Sequence, residues 1–302
     1  PDPNRGAPGG NPISILLIEA GSHHGTIDSE LKTQLEEKGY AISVVKSFGK
    51  YRFTPEYLAN FSVVLMSGYP SSKARYGVGS WRMAQTLDPN TEIMQDYAKS
   101  GGSILFVPDY GGGGRSKIRA YNKFLKPFDV RYIPEQIMPA PDFKDTWSEA
   151  RVHAGHVITQ GVQDLLYPAD VLRWDTACSA NPVIAGKEWT VLASAGEGDG
   201  RYVVSGNNNV FPEKQGEERD LWAVRDLEKG TVAVSGLNAF YVMSHAYHEK
   251  NAVGEAGTGR INGMFMEGSD DQPSDGLALL DRTLRYLGQR SARQGIGGKV
   301  PE

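Results

Sequence analysis

Ile13-Ser14-Ile15-Leu16-Leu17-Ile18-Glu19, followed directly by Ala20-Gly21-Ser22-His23-His24-Gly25, decides how the rest of the chain is read. The first seven residues are almost all apolar and rich in β-branched types. A half-exposed strand would alternate with polar residues, so this run predicts a strand buried on both faces. The polar turn after it leads to Asp28, placed to cap a helix with Leu31 and Leu35 on one face and Gly39 as a left-handed stop. Residues 40–45 read as the next strand. A short helix over 54–60 opens with Pro55 in its first turn, where a missing N–H costs nothing. Residues 62–68 repeat the doubly buried pattern, and a polar loop runs from there through Asn90. A helix over 91–99 turns Ile93, Met94 and Tyr97 inward and stops at Gly101-Gly102. A strand at 103–107 breaks at Pro108-Asp109-Tyr110 into four glycines, and a helix over 116–125 and a strand over 129–133 follow. This alternation has the spacing of parallel βαβ units, so the expected fold class is α/β with a mostly parallel sheet.

Beyond residue 133 the pattern changes. Prolines 134, 139, 141, 168 and 182 punctuate the middle of the chain. The runs 171–174, 189–193 and 201–205 look like strands with no long helices between them. Residues 134–215 are therefore expected to form a β-rich elaboration on the same sheet. Residues 231–236 return to a buried strand, and a last amphipathic helix carries Leu277, Leu280, Leu284 and Leu287 on one stripe, with Asp281, Arg282 and Arg285 outside. The expected organisation is a Pro/Gly-rich tether at 1–12, a single domain over 13–290 and a tail at 291–302.

Composition bounds the function. A chain of 302 residues buries about three quarters of its unfolded surface and needs no disulfide or metal staple. With 39% hydrophobic and 23% charged residues it is an ordinary globular sequence. No run approaches 18 apolar residues, so no spanning helix is expected. A net charge of −4 argues against a general nucleic-acid binder. The single cysteine, Cys178, excludes an internal disulfide and multi-cysteine zinc sites. The start without Met reads as a trimmed beginning or as the point after a removed leader, and the flexible lead favours a secreted or periplasmic setting.

In an open parallel sheet, ligands bind outside the carboxyl ends of the strands. That rule selects residues 19–24, Gly68-Tyr69-Pro70, residues 109–117 and residues 237–248. In Gly111-Gly112-Gly113-Gly114-Arg115-Ser116-Lys117, glycines let backbone N–H groups approach a ligand, a helix start adds partial positive charge, and Arg115 and Lys117 add full charges. Gly112, Gly113, Arg115 and Lys117 are thus candidates for binding an anionic group; the competing reading is a turn with solvated cations. Ser116 stands where a P-loop needs glycine, which disfavours nucleotide hydrolysis.

No cofactor is expected; the one possibility weighed is a divalent metal, with His23, His24, His245 and His248, and Glu19 or Asp109, as its candidate ligands. The alternative is local hydrogen bonding by loop histidines. His153 and His156 read as turn residues. No Gly-x-Ser-x-Gly elbow occurs, and Cys178 reads as an inert thiol. Asp109, His23 and His245 are the candidates for acid–base work, although Asp109 also suits a turn cap. Tyr69, Tyr76, Trp81, Tyr110, Tyr241 and Tyr247 populate the same loops. Aromatic faces beside polar groups suit sugar rings, although simple rim packing is the competing explanation.

The order of Gly21-Ser22-His23-His24, residues 62–68, Gly101-Gly102-Ser103-Ile104-Leu105-Phe106-Val107, Tyr121-Asn122-Lys123-Phe124-Leu125-Lys126-Pro127-Phe128, His156-Val157-Ile158-Thr159-Gln160-Gly161-Val162 and residues 230–240 resembles the class I glutamine-amidotransferase-like superfamily. The likeness covers about residues 13–288. It is closest to the branch of trehalose-utilisation-type and gliding-motility-type domains, whose "His-Pro-Ile-Thr-x-Gly" turn is matched here with Val157 in place of proline. Gly236-Leu237-Asn238-Ala239-Phe240 is similar to that branch's glycine-led late strand. The resemblance implies a flavodoxin-like, doubly wound three-layer sandwich. True amidotransferases carry a cysteine at the elbow, where this chain has Asp109-Tyr110, and a late histidine, where it has Leu237-Asn238. Glutaminase activity is therefore expected to be absent.

The leading expectation is a ligand-binding or accessory domain for a small polar, carbohydrate-type and perhaps anionic compound. His24, Tyr69, Tyr110, Asn238 and Tyr241 would line the site beside the glycine run. The alternatives are a hydrolase or lyase acting on a sugar derivative, with or without a metal, and a structural domain of a membrane-associated complex. No nucleic-acid partner is expected.

Overall fold

The computed structural model describes residues 12–19, 27, 29–46, 52–68, 90–108, 115–133, 136–138, 147–168, 180–196, 199–204, 210–214, 220–237, 263–268 and 271–297. Strand β1 (Ile13–Glu19) pairs in parallel with β2 (Tyr40–Lys46) on one side and with β3 (Val63–Ser67) on the other. β3 continues in parallel to β4 (Ser103–Val107), and β4 to β15 (Thr231–Ser235). This row, β2-β1-β3-β4-β15, is the doubly wound order that the βαβ spacing predicts.

Helices cover both faces because both faces of these strands are apolar. Leu16, Ile18, Val64, Met66, Ile104, Phe106, Val232 and Val234 pack with α2 (Pro55–Leu58), α3 (Asn90–Lys99) and α4 (Arg115–Leu125). Ile15, Leu17, Leu65, Leu105 and Ala233 pack on the other face with α1 (Ser29–Glu37) and the last helix, α6 (Gly276–Ala292). A four-residue helix, α5 (Gly263–Met266), precedes α6. In α6, Leu280, Leu284 and Leu287 are fully buried, as the stripe predicts, while Leu277 is only partly buried and Leu279 takes its place. Each such leucine contributes about 1.5–3 kcal/mol. Gly39 ends α1 at φ 92°, where a side chain would be strained.

Two clamps fix α6. The Tyr40 hydroxyl lies 2.9 Å from both Asp281 O and Asp281 Oδ1, and Arg285 Nε donates to Asp281 Oδ2 at 3.0 Å. At the other end, Asp275 Oδ2 accepts from the backbone N–H groups of Gln163 and Asp164, and Ser274 Oγ accepts from Leu166 N. The turn His156-Val157-Ile158-Thr159-Gln160-Gly161-Val162 belongs to the same joint. Val157–Thr159 forms one 3-10 turn, capped by His156 Nδ1 accepting from Ile158 N at 3.2 Å. The His156 ring packs edge-on against Tyr286 of α6. The motif that carried much of the family resemblance thus anchors a helix in this chain.

The elaboration divides. Of its strands, β8 (Arg151–Val152), β10 (Val183–Ala185) and β11 (Thr190–Ser194) join the main sheet, as does β5 (Val130–Tyr132) ahead of them. β6 (Gln136–Met138), β12 (Gly200–Val204) and β13 (Val210–Lys214) form a separate three-stranded sheet, and β7 (Trp147–Glu149) pairs with β9 (Leu166–Pro168). The run 171–174 lies outside the described residues. β6, β7, β8, β9, β10 and β13 match none of the runs expected from the sequence, and neither does β14 (Asp220–Asp226), antiparallel to both β15 and β11, with Leu221, Trp222, Ala223 and Val224 buried. Its charged flanks hide the four-residue apolar centre. Among the described residues, no helix is long and apolar enough to cross a membrane.

Candidate functional site

At the carboxyl edge of the parallel strands, register places five residues in one row. Glu19 lies opposite Ser67, Ser67 opposite Val107, and Trp222 opposite Ser235. The Val234–Phe106 pair sets Ser235 beside Val107. Alternation along each strand puts this row on the face of Leu17, Leu65, Leu105, Ala233 and Val224. The row is thoroughly buried: Glu19 is 3% exposed, and Ser67, Val107, Ser235 and Trp222 are each 0% exposed.

Polar groups in such surroundings require partners. Glu19 Oε1 accepts from Ile27 N at 3.1 Å, which ties the segment after β1 to the strand end. Ser235 Oγ donates to Leu237 O and accepts from Leu237 N, both at 3.0 Å, and so turns the chain sharply at Gly236. Ser67 Oγ and Trp222 Nε1, in contrast, are buried with no hydrogen-bond partner among the described residues. The row therefore holds one bonded carboxylate, one bonded hydroxyl and two orphaned donors.

The frame behind the row is rigid. Gly68 at φ 76° closes β3, and its N–H donates to Val107 O at 2.7 Å. Tyr132 OH donates to Ser235 O at 2.6 Å, while Asn122 bonds both the N–H and the C=O of Tyr132. Burial pushes the Tyr132 phenol well above its ordinary value, so it stays a donor. Asn181 N donates to Gly236 O at 2.9 Å, and Gly236 N to Leu221 O at 2.6 Å, so the start of β14 is pinned to the end of β15. One strand further out the edge remains polar: Ser194 Oγ donates to Asp220 Oδ1 at 3.0 Å and lies 2.8 Å from His153 Nε2. Because the Ser194 proton goes to Asp220, His153 Nε2 carries the proton toward Ser194.

The residues singled out from the sequence fall unevenly. His23, His24, Tyr69, Asp109, Tyr110, Gly112, Gly113, Asn238, Tyr241, His245 and His248 lie outside the described residues. Arg115 and Lys117 occupy the first turn of α4, directly after the glycine run. The strand ends that carry three of the selected turns, at Glu19, Gly68 and Val107, do lie side by side. Among the described residues, no group of three or more His, Cys, Asp or Glu side chains is arranged to hold a metal. Sequence reasoning missed Ser67 and Trp222. A serine ending a doubly buried strand is a weak signal for the first; nothing local marks the second.

With this geometry in view, the comparisons with known proteins concern the fold. No protein-family model matches the chain, and no curated protein does. Among solved structures, the chain is similar to the mmIFT52 N-terminal domain, with 15% identity, a TM-score of 0.56, and 91% of this chain and 97% of that one covered. It is likewise similar to a cytoplasmic protein from Salmonella typhimurium, with 15% identity, a TM-score of 0.53, and 90% and 98% covered. A protein described as ThuA-like, from Bacteroides uniformis ATCC 8492, aligns with 13% identity, a TM-score of 0.51, and 94% of each chain covered. What the chain shares with these structures is the fold, an α/β arrangement with a mostly parallel central sheet. The likeness to the ThuA-like protein is of the fold alone, and that fold is the α/β class expected from the sequence. At these identities the likeness establishes the fold and leaves the chemistry to the site.

Proposed function

We propose that the chain is a non-glutaminase, ligand-binding domain that takes a polar, carbohydrate-type compound in the crevice outside the carboxyl ends of β1, β3, β4 and β15. The observation that carries this reading is the buried polar row at that edge. A protein interior seldom keeps a carboxylate, two hydroxyls and an indole N–H in line without a use for them. The turn after β4 reads Pro108-Asp109-Tyr110, and the only cysteine is Cys178, so no thiol is available at the elbow for the glutaminase reaction. Arg115, Lys117 and the N–H groups of the glycine run ahead of α4 would hold an anionic substituent. Tyr69, Tyr110 and Tyr241 would frame it.

The test is calorimetric titration of the chain with a panel of neutral glycans, sugar phosphates and organic acids, repeated on Arg115→Ala with Lys117→Ala. Binding of a panel member that weakens at least tenfold in the double variant supports the reading. Binding unchanged by the double variant, or no binding at all, refutes it.

A further inference from the structure

The solvent faces of α3 and α4 carry charges of opposite sign in a matching order. On α3 the exposed positions are Glu92, Asp96 and Lys99, while Thr91, Met94, Gln95, Tyr97 and Ala98 turn inward. On α4 and the 3-10 turn after it, Arg119 and Lys126 are exposed and Lys123 is half-buried between them, and the exposed Asp129 comes next. Both helices run from the carboxyl edge of the sheet toward its amino edge, α3 leading into β4 and α4 leaving it. Gln95 Nε2 donates to Phe124 O at 2.8 Å, which sets position 95 level with position 124. An equal rise of about 1.5 Å per residue then sets Glu92 between the levels of Arg119 and Lys123. Asp96 falls between the levels of Lys123 and Lys126, and Lys99 falls close to that of Asp129. Asp96 and Lys99 share only a long, exposed contact of 3.7 Å. Glu92, Arg119 and Lys126 have no ion-pair partner among the described residues.

We infer that this pair of helices is the contact between two copies of the chain, related by a two-fold axis that lies in the interface and runs along the helices. Such an axis keeps every level and exchanges the two helices, so α3 of each copy faces α4 of the other. Glu92 then meets the partner's Arg119 and Asp96 meets the partner's Lys126, with the partner's Lys123 between them. Lys99 meets the partner's Asp129, and the axis repeats each pairing. A two-fold axis across the helices would set α3 on α3 and α4 on α4, like charge against like, which disfavours it. A membrane or another uniformly anionic surface would meet Glu92 and Asp96 beside the cations, so the change of sign favours a second copy. Exposed ion pairs are individually weak and are screened by salt, so the dimer is weak and salt-sensitive. This contact uses neither Arg115 nor Lys117 and does not depend on the carboxyl-edge crevice.

The experiment is analytical ultracentrifugation over protein concentrations reaching about 1 mM, at low salt and again in about 1 M salt, where the screening length is about 3 Å. Two charge reversals are compared with the wild type: Glu92→Lys with Asp96→Lys on α3, and Arg119→Glu with Lys126→Glu on α4. The expected result is a wild-type dimer that weakens in high salt and weakens about tenfold or more in either reversal alone. An equimolar mixture of the two reversed proteins should regain the dimer. In the mixed pair the reversed α3 of one protein faces the reversed α4 of the other, and the native α4 faces the native α3. A wild type that stays monomeric at low salt up to the highest concentration overturns the inference. So does a dimer indifferent to both reversals, or one that both reversals break and the mixture does not restore. The four substituted residues are exposed, so the packed faces stay intact. Should a reversal fail to unfold cooperatively in urea, Asp96→Asn or Arg119→Gln takes its place, with a weakening of about threefold expected. An unchanged dimer in that neutral variant also overturns the inference.

Discussion

Replacing Ser67 by alanine should make the protein more stable, and replacing Ser103 by alanine should make it less so. The two serines sit on adjacent strands, are both 0% exposed, and would lose the same single oxygen atom. They differ in what that oxygen does. Ser67 Oγ has no partner, so the folded state carries the desolvation cost of a buried hydroxyl, about 1–3 kcal/mol, with no bond to offset it. Removing it leaves a gap of one small atom, worth a few tenths of a kcal/mol in lost contacts, at about 0.1–0.2 kcal/mol per atom pair. The expected net gain is about 1 kcal/mol. Ser103 Oγ instead donates to Leu287 O at 2.9 Å and accepts from Ser291 Oγ at 2.8 Å, joining β4 to α6. Its removal strands the Ser291 hydroxyl and should cost about 1–2 kcal/mol. The two variants should therefore differ by roughly 2–3 kcal/mol in urea unfolding, with unchanged m-values showing that the same surface is exposed in each. If Ser67→Ala destabilises the protein as much as Ser103→Ala does, Ser67 has a native partner, and the carboxyl-edge row holds one orphaned donor instead of two.

Three further outcomes follow from the clamps on α6. Tyr40→Phe should lose about 1–2 kcal/mol in the same assay, because it removes the hydroxyl held by Asp281 in a buried setting while leaving Arg285 to pair with that carboxylate. Leu284→Ala should cost about 2–5 kcal/mol, and Leu277→Ala clearly less, since only the former is fully buried against the sheet. His156 sets a pH dependence: burial lowers its proton affinity, with Asp226 opposing the shift in part, and its Nδ1 must stay unprotonated to accept from Ile158 N. The unfolded chain takes up that proton near pH 6.5 and the folded chain only at lower pH, so this stability is fully present above pH 6.5 or so and is lost as pH falls through the folded value. His156→Asn keeps a cap acceptor and does not titrate, so the urea midpoint of that variant should fall less between pH 7.5 and 5 than the wild type's.

How far the sequence reached depended on what kind of information each feature carries. Residues 13–19, 62–68, 103–107 and 231–236 were recognisable as buried strands because an unbroken apolar run reports burial on both faces directly. Leu31 and Leu35, Met94 and Tyr97, and the leucines of α6 were recognisable because helical spacing reports one face. β14 escaped because its apolar centre is short and its flanks are Arg219-Asp220 and Arg225-Asp226, which look like solvent-facing residues until β11 and β15 are seen on either side.

By itself, the sequence determined the parallel α/β core, the missing thiol after β4 and a turn at His156, since each is a local pattern or a residue type at a known place. Only the tertiary structure decided that Glu19, Ser67, Val107, Ser235 and Trp222 share one row, and that Ser67 Oγ and Trp222 Nε1 have no partner among the described residues. The reason is physical. Register between strands more than a hundred residues apart, and the satisfaction of a buried hydrogen-bond donor, are properties of pairing across the sheet and are not encoded in any one segment.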